Sequence, residues 1–140
     1  MAPSILKTKN VMFLLAILLV LHTTMCSQPR AFVTITNSLN GTVSTAILNV
    51  HIKSKDDDLG WHAIPDGGYY EFSFHPRMWG GTLFFARMVW LREFHYFDIY
   101  VQDRDQINCD HCCWFVYPSG PCRCPCDDPT SYAVCFLWDQ

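Results

Sequence analysis

The stretch Ala31-Phe32-Val33-Thr34-Ile35-Thr36-Asn37, followed at once by Ser38-Leu39-Asn40-Gly41, decides how the rest of the chain is read. Phe32, Thr34 and Thr36 fall on one side and Val33 and Ile35 on the other, the period-two pattern of a strand with one buried face. β-Branched residues dominate it, and they suit a pleated surface. Asn-Gly is the strongest short hairpin signal, because a type I′ turn needs positive φ at both central positions. A returning strand over residues 43–53, also rich in β-branched residues, is therefore expected.

The same punctuation recurs outward from there. Residues 53–60 read as a charged loop, 61–64 as a short strand, and Pro65-Asp66-Gly67-Gly68 as a turn. Residues 69–75 alternate again, with Tyr70, Phe72 and Phe74 on one side. A turn over 76–81 leads to a long apolar strand, 82–90, which Leu91-Arg92-Glu93 joins to another over 94–102. A polar loop over 103–108, a strand over 112–118, a turn at Ser119-Gly120-Pro121, a stapled irregular loop over 122–130 and a last strand over 132–139 complete the chain. About eight strands at regular spacing, with no convincing helix after the N-terminal segment, predict an all-β fold. The expected architecture is a small β-sandwich of about eight antiparallel strands with a disulfide-stapled C-terminal third. Its core should hold Phe72, Phe74, Phe85, Phe97, Ile99, Trp114 and Phe136. No internal repeat or low-complexity linker divides it.

The totals agree with one domain: 140 residues, half of them apolar and 15% aromatic, enough for a packed core. Charged residues make up 16% and the net charge is −3, which is not the basic surface nucleic acid demands. Lys7 and Lys9 precede an apolar run over 11–21, too short to span about 30 Å of hydrocarbon as a helix. Thr24-Met25-Cys26 places small residues for cleavage after Cys26, so residues 1–26 read as a signal peptide and 27–140 as the mature domain. The rival reading is an uncleaved anchor. Loss of Lys7 and Lys9 leaves eight basic against thirteen acidic residues, a balance of −5, which argues against polyanion binding.

Of eight cysteines, seven crowd the last third: Cys109, Cys112, Cys113, Cys122, Cys124, Cys126 and Cys135. In a secreted chain these are disulfide candidates. A zinc site from Cys109, His111, Cys112 and the 122–126 thiols is the rival, with the oxidising route competing for its ligands. Cleavage after Cys26 leaves an odd number, so one thiol is free, or the chain pairs with a disulfide-linked partner, or Cys26 is kept.

Asn40-Gly41-Thr42 is an N-glycosylation sequon on a turn, with Asn40 as acceptor. Asp56-Asp57-Asp58 lacks the ligand spacing of a calcium loop. Either it is a solvated loop balanced by Lys53 and Lys55, or these five residues form a partner-contact surface. The histidines at 51, 62, 75, 95 and 111 are scattered, and no HExxH, nucleophile elbow or P-loop occurs. His95 and Asp98 lie on opposite faces by period two. Glu71, Glu93 and Asp98 fall on or beside strands, but nothing singles them out as a hydrolytic pair. No catalytic, cofactor or metal-binding set is read.

Lys53-Ser54-Lys55-Asp56-Asp57-Asp58-Leu59-Gly60 is close to the signature of a known family, and the match continues in order. It takes in Tyr70-Glu71-Phe72-Ser73-Phe74, Trp79-Gly80, Thr82-Leu83-Phe84-Phe85 and Phe97-Asp98-Ile99-Tyr100. It goes on through Cys109, Cys112 and Trp114, then Gly120-Pro121-Cys122, and ends with Cys135 and Trp138. On these residues the chain resembles the plant self-incompatibility protein S1 family, the S-protein homologues, over nearly the whole mature chain. The resemblance implies a secreted β-sandwich of about eight strands. It also implies no known catalytic residues or cofactor, and an extracellular ligand met by a plasma-membrane receptor protein. The founding members of that family are pistil-secreted determinants that meet a pollen membrane protein. Two departures stand out: relatives often carry cysteine where this chain has Ile52 and Ala86, and Cys113, Cys124 and Cys126 are extras. We expect the two missing positions to be each other's partners in relatives, because losing both strands no thiol.

Two classes of function follow. One is a secreted signalling or recognition ligand with no small-molecule substrate, its contacts on loops 53–60, 76–81 and 103–108, where a rigid scaffold carries recognition. The other is a defence or lectin-like module acting on microbes or glycans, with Trp61, Trp79 or Trp90 stacking on sugars. A secreted hydrolase is the weakest reading, and fold alone does not separate the classes.

Overall fold

The computed structural model describes residues 3–25, 29–40 and 46–138. Helix α1 (Pro3–Met25) comes first, with apolar side chains such as Phe13 and Leu19 exposed. Among the described residues no helix is long and apolar enough to cross a membrane. The expected cleavage point at Cys26–Ser27 lies outside the described residues, as do Gly41 and Thr42 of the sequon and the start of the expected second strand.

Nine strands follow: β1 (Ala31–Asn37), β2 (Leu48–Ser54), β3 (Asp58–Ile64), β4 (Tyr69–Phe74), β5 (Leu83–Trp90), β6 (Glu93–Val101), β7 (His111–Tyr117), β8 (Gly120–Cys124) and β9 (Val134–Cys135), with a one-turn helix α2 (Gln102–Asp105) between β6 and β7. They make two sheets, β4-β1-β7-β8-β9 and β3-β2-β5-β6. The fold is the expected all-β sandwich. Among the described residues the pairing is antiparallel except between β1 and β7, which run parallel with Ile35 opposite Trp114.

The core is one cluster fed by both sheets. Val33 and Ile35 come from β1, Val50 and Ile52 from β2, Ala86 and Met88 from β5, Ile99 from β6 and Trp114 from β7, all fully buried. Aromatic rings fill the remaining gaps, with Phe97 edge-on to Trp114 and Phe74 edge-on to Tyr100. Of the expected core residues, Phe74, Phe97 and Phe136 are partly buried against this cluster. Phe85 is a correction: Phe84 points inward with Ala86, Met88 and Trp90, and Phe85 faces the other way. A continuous apolar run shows no alternation from which its inner face can be chosen.

The expected β1–β2 hairpin does not form. β1 is paired on both sides, by β4 and β7, so it has no free edge for β2, which lies in the other sheet. Asn37, fully buried, directs this crossing. Its Nδ2 donates to the carbonyls of Ala46 (2.8 Å) and Ile64 (3.0 Å), and its Oδ1 accepts from the Leu39 amide. The β2–β3 connection is a hairpin instead, with β2 taking residues 53–54 and β3 residues 58–60 of the expected 53–60 loop. The Ser54 hydroxyl accepts from the amides of Asp56 and Asp57, which tightens the turn. Part of the expected loop 103–108 is taken by α2, and part of the irregular loop 122–130 is β8. The last strand shrinks to two residues.

The cysteines pair Cys109–Cys112, Cys113–Cys126 and Cys122–Cys135, and Cys124 is a buried free thiol. The last two bonds each span 13 residues, a loop worth about 3 kcal/mol in the chain-entropy account. Ile52 and Ala86 stand directly opposite in the β2–β5 ladder, the arrangement expected of a pair that is bridged in relatives.

Candidate binding surface

The three loops expected to make contacts meet at one end of the sandwich. Arg77 pairs with Asp56, joining the 76–82 segment to the β2–β3 turn. Gln102, at the start of α2, ties the same segment to the 103–108 region. Its amide donates to the Thr82 carbonyl, its Oε1 accepts from the Thr82 amide, and its Nε2 donates to the Arg77 carbonyl (2.7 Å). Gln102 is 4% exposed, so these bonds form away from competing water. Between the first two loops lies a cavity of about 410 Å³, with Lys55, Asp56, Asp57, His75 and Arg77 in its wall.

Helix α2 is held by Asp105, whose carboxylate is fully buried. It accepts from Arg104, from Arg123 on β8, and from the Val101 amide (2.8 Å). The Arg104 guanidinium lies over the rings of Phe97, Trp114 and Phe136 at 5.0–5.4 Å, a desolvated setting where cation–π attraction is strongest. These polar anchors were not legible in the sequence. Gln102 reads as the end of a strand, Arg104 and Asp105 sit in a run that reads as a polar loop, and Arg123 hides between two cysteines.

This end also displays large apolar side chains. Trp79 is 89% and Ile107 is 88% exposed. Folding gains nothing from side chains left this bare, although the segments carrying them are pinned.

The five residues expected as a contact loop divide. Lys55, Asp56 and Asp57 are exposed around the cavity, whereas Lys53 and Asp58 turn to the outer face of their sheet. There Asp58 Oδ1 accepts from the Gly60 amide (2.9 Å) and lies 2.7 Å from His51 Nε2, and Lys53 stands 3.1 Å from Oδ2. The Gly60 amide, then His51 and Lys53, bring the Asp58 pKa down from 3.8 to about 2. Because the folded value lies below the unfolded one, the carboxylate's contribution to stability is complete above about pH 4 and is lost as pH falls toward 2. A carboxyl NMR titration should place the Asp58 midpoint near 2, and His51→Ala should raise it. A midpoint that stays put would leave His51 without that role.

The same outer face carries a row in register across all four strands, Trp61, His51, Arg87 and Tyr96, all exposed except the half-buried His51. Arg87 lies over the rings of Trp61 (5.4 Å) and Phe94 (4.5 Å). Trp90, the other candidate for stacking on sugars, is buried. On the opposite sheet, Glu71 faces both His111 (3.0 Å) and the Thr34 hydroxyl. His111, Cys113 and Cys126 present ligand atoms within 4.8 Å of one another, but those two sulfurs are bonded to each other and so are not thiolates. Asn40 is exposed on a turn.

Comparison with known proteins agrees with this architecture. The family described as plant self-incompatibility protein S1 matches residues 32–138. S-protein homolog 5 of Arabidopsis thaliana is 44% identical over 106 residues, which is 76% of each chain. S-protein homolog 4 of the same plant is 39% identical over 81% of this chain and 75% of its own, and S-protein homolog 19 is 39% identical over 66% and 67%.

Proposed function

The chain belongs to the plant self-incompatibility protein S1 family, and from that premise we propose that it is a secreted ligand recognised by a plasma-membrane receptor protein, with no enzymatic activity of its own. The observation that carries this is the end of the sandwich where Trp79 stands 89% exposed on a segment pinned by Gln102 and by the Arg77–Asp56 pair. A bare, preorganised tryptophan beside charged side chains has the make-up of an interface hot spot. Lys55, Asp56, Asp57 and Ile107, exposed on the loops that meet at the same end, supply the remaining contacts.

The test is saturable binding of labelled, correctly oxidised mature protein to plasma membranes from reproductive and vegetative tissue. Trp79→Ala should weaken that binding by about 1–2 kcal/mol, roughly fivefold to thirtyfold, with the thermal midpoint unchanged because the side chain is solvated. Equal binding by the variant would remove this surface from the proposal, and absence of saturable binding by the folded wild type would remove the receptor.

Secretion is part of the same reading. A helix with its apolar side chains exposed is a poor component of a mature domain. We expect the exported protein to begin at Ser27, as read by intact mass, and to carry a glycan at Asn40 that peptide-N-glycosidase removes. A mature mass that still includes residues 1–26 would favour the anchor.

The outer face with Trp61, Phe94, Tyr96 and Arg87 supports the second reading, a glycan-binding defence module, since flat exposed rings beside hydrogen-bonding groups suit sugar stacking. Glycan-array binding abolished by Trp61→Ala would move the assignment there.

A further inference from the structure

Among the described residues the free thiol is in an unexpected place. Cys124 is buried, so it cannot itself meet another molecule. It stands directly opposite Cys113 in the antiparallel β7–β8 ladder. Directly opposed residues of an antiparallel pair share a face, with Cα atoms about 4.5–5.5 Å apart, inside the Cα separation of about 4.4–6.8 Å that a disulfide spans. Cys113 is nevertheless bonded to Cys126, whose Cα lies 5.2 Å away and which is exposed on the segment after β8. Cys113 thus has two cysteines at a backbone spacing that a disulfide can bridge, one buried and one exposed.

We propose that these three cysteines form a thiol–disulfide exchange site that moves the free thiol from buried Cys124 to exposed Cys126. The Cys124 thiolate attacks Cys113 Sγ, the Cys113–Cys124 bond forms, the Cys113–Cys126 bond breaks, and Cys126 leaves as a thiolate. No net oxidant or reductant is consumed, and the proton given up by Cys124 is balanced by the one Cys126 takes on. The new bond lies within the ladder and the freed thiol lies at the surface.

The surroundings suit both partners. Cys124 lines a cavity of about 360 Å³, beside Arg123, Pro125 and Tyr132, which gives its side chain room to turn. His111, whose ring lies within 4.8 Å of the Cys113 and Cys126 sulfurs, is placed to hydrogen-bond the departing thiolate, with Glu71 behind it at 3.0 Å. Burial and the Asp128 charge push the Cys124 thiol pKa up, so its thiolate is scarce at neutral pH and the exchange is slow there. Once released, Cys126 is open to any external disulfide, of a small thiol or of a partner peptide. It takes one half as a mixed disulfide and expels the other as a thiolate.

The experiment uses the oxidised mature protein and needs no receptor, so its outcome is separate from the fate of the ligand reading. The native protein is incubated with iodoacetamide at mildly alkaline pH, digested without reduction, and mapped by fragmentation. The expected product carries the label on Cys126 and a Cys113–Cys124 linkage. Cys124→Ser, a small polar replacement that keeps the fold, should keep Cys113–Cys126 intact and lose labelling at Cys126. Label confined to Cys124, no label at all, or continued labelling of Cys126 in the serine variant would each overturn the proposal.

Discussion

Replacing Asp105 by alanine is expected to destabilise the protein by about 3–5 kcal/mol, the cost of removing one partner from a buried ionic cluster. The carboxylate is fully buried and serves three donors at once, the guanidinium groups of Arg104 and Arg123 and the Val101 amide. Without it two largely buried cations face each other with no anion between them, and a backbone N–H at the start of α2 loses its acceptor. Such a loss is a large part of the 5–15 kcal/mol that holds an ordinary domain together. Urea unfolding followed by tryptophan fluorescence measures it. Asp105→Asn retains an acceptor for Val101 while removing the charge, so its smaller loss separates the hydrogen bond from the ion pairing. An alanine variant as stable as the wild type would mean that the cluster's attraction only balances its desolvation. Because Asp105 holds the helix that begins with Gln102, the alanine variant should also loosen the 76–82 segment, and with it the binding surface proposed above.

The second large effect is expected from Gly120→Ala, at about 2–4 kcal/mol, combining overpacking with backbone strain. Gly120 has φ +146°, which side-chain-bearing residues rarely adopt, and a Cβ there would meet the Phe136 carbonyl oxygen at 1.8 Å. The obstacle is backbone, so it cannot rotate aside. Residues 136–138 would have to lift off β8. That movement breaks the bond from the Phe136 amide to the Pro121 carbonyl and the one from Trp138 Nε1 to the Pro118 carbonyl (2.9 Å). It also unstacks Trp138 from His95, whose ring it covers at 4.4 Å. The Cys122–Cys135 bond would still tether the segment, so the expected product is a folded protein with a detached C-terminus. A lowered unfolding midpoint and a red-shifted Trp138 emission would report it, and a midpoint equal to wild type would show that the close approach is relieved without loss.

Much of the fold was legible because strand formation leaves a local trace. Alternation in β1 put Val33 and Ile35 together on one face, which the structure makes the inner one, Phe72 of β4 was legible as core, and Pro65-Asp66-Gly67-Gly68 marked a real turn between β3 and β4. The β5–β6 pair, joined across Leu91 and Arg92, was also visible as two apolar runs with a short break. The Asn-Gly step misled because a turn signal says that the chain bends, not which strand it returns to. Phe84 and Phe85 were exchanged because an unbroken apolar run has no phase. At the candidate surface, the loops were identified from polarity, but not their meeting, which rests on Arg77 and Gln102 reaching residues about 20 positions away or more.

By itself the sequence determined the class of this protein: an all-β sandwich in the self-incompatibility S1 family, built from short strands and crowded with cysteines toward its end. Those properties depend on near neighbours in the chain, through pleat period, turn chemistry and composition. Only the tertiary structure decided which sheet each strand joined, that β1 and β7 run parallel, which cysteines bonded, and that an aspartate in a polar run became the buried anchor of two arginines. Each of these is a choice among many partners distant in sequence. It is made by which arrangement fills the core while pairing buried charges such as Asp105, and no local pattern carries that information.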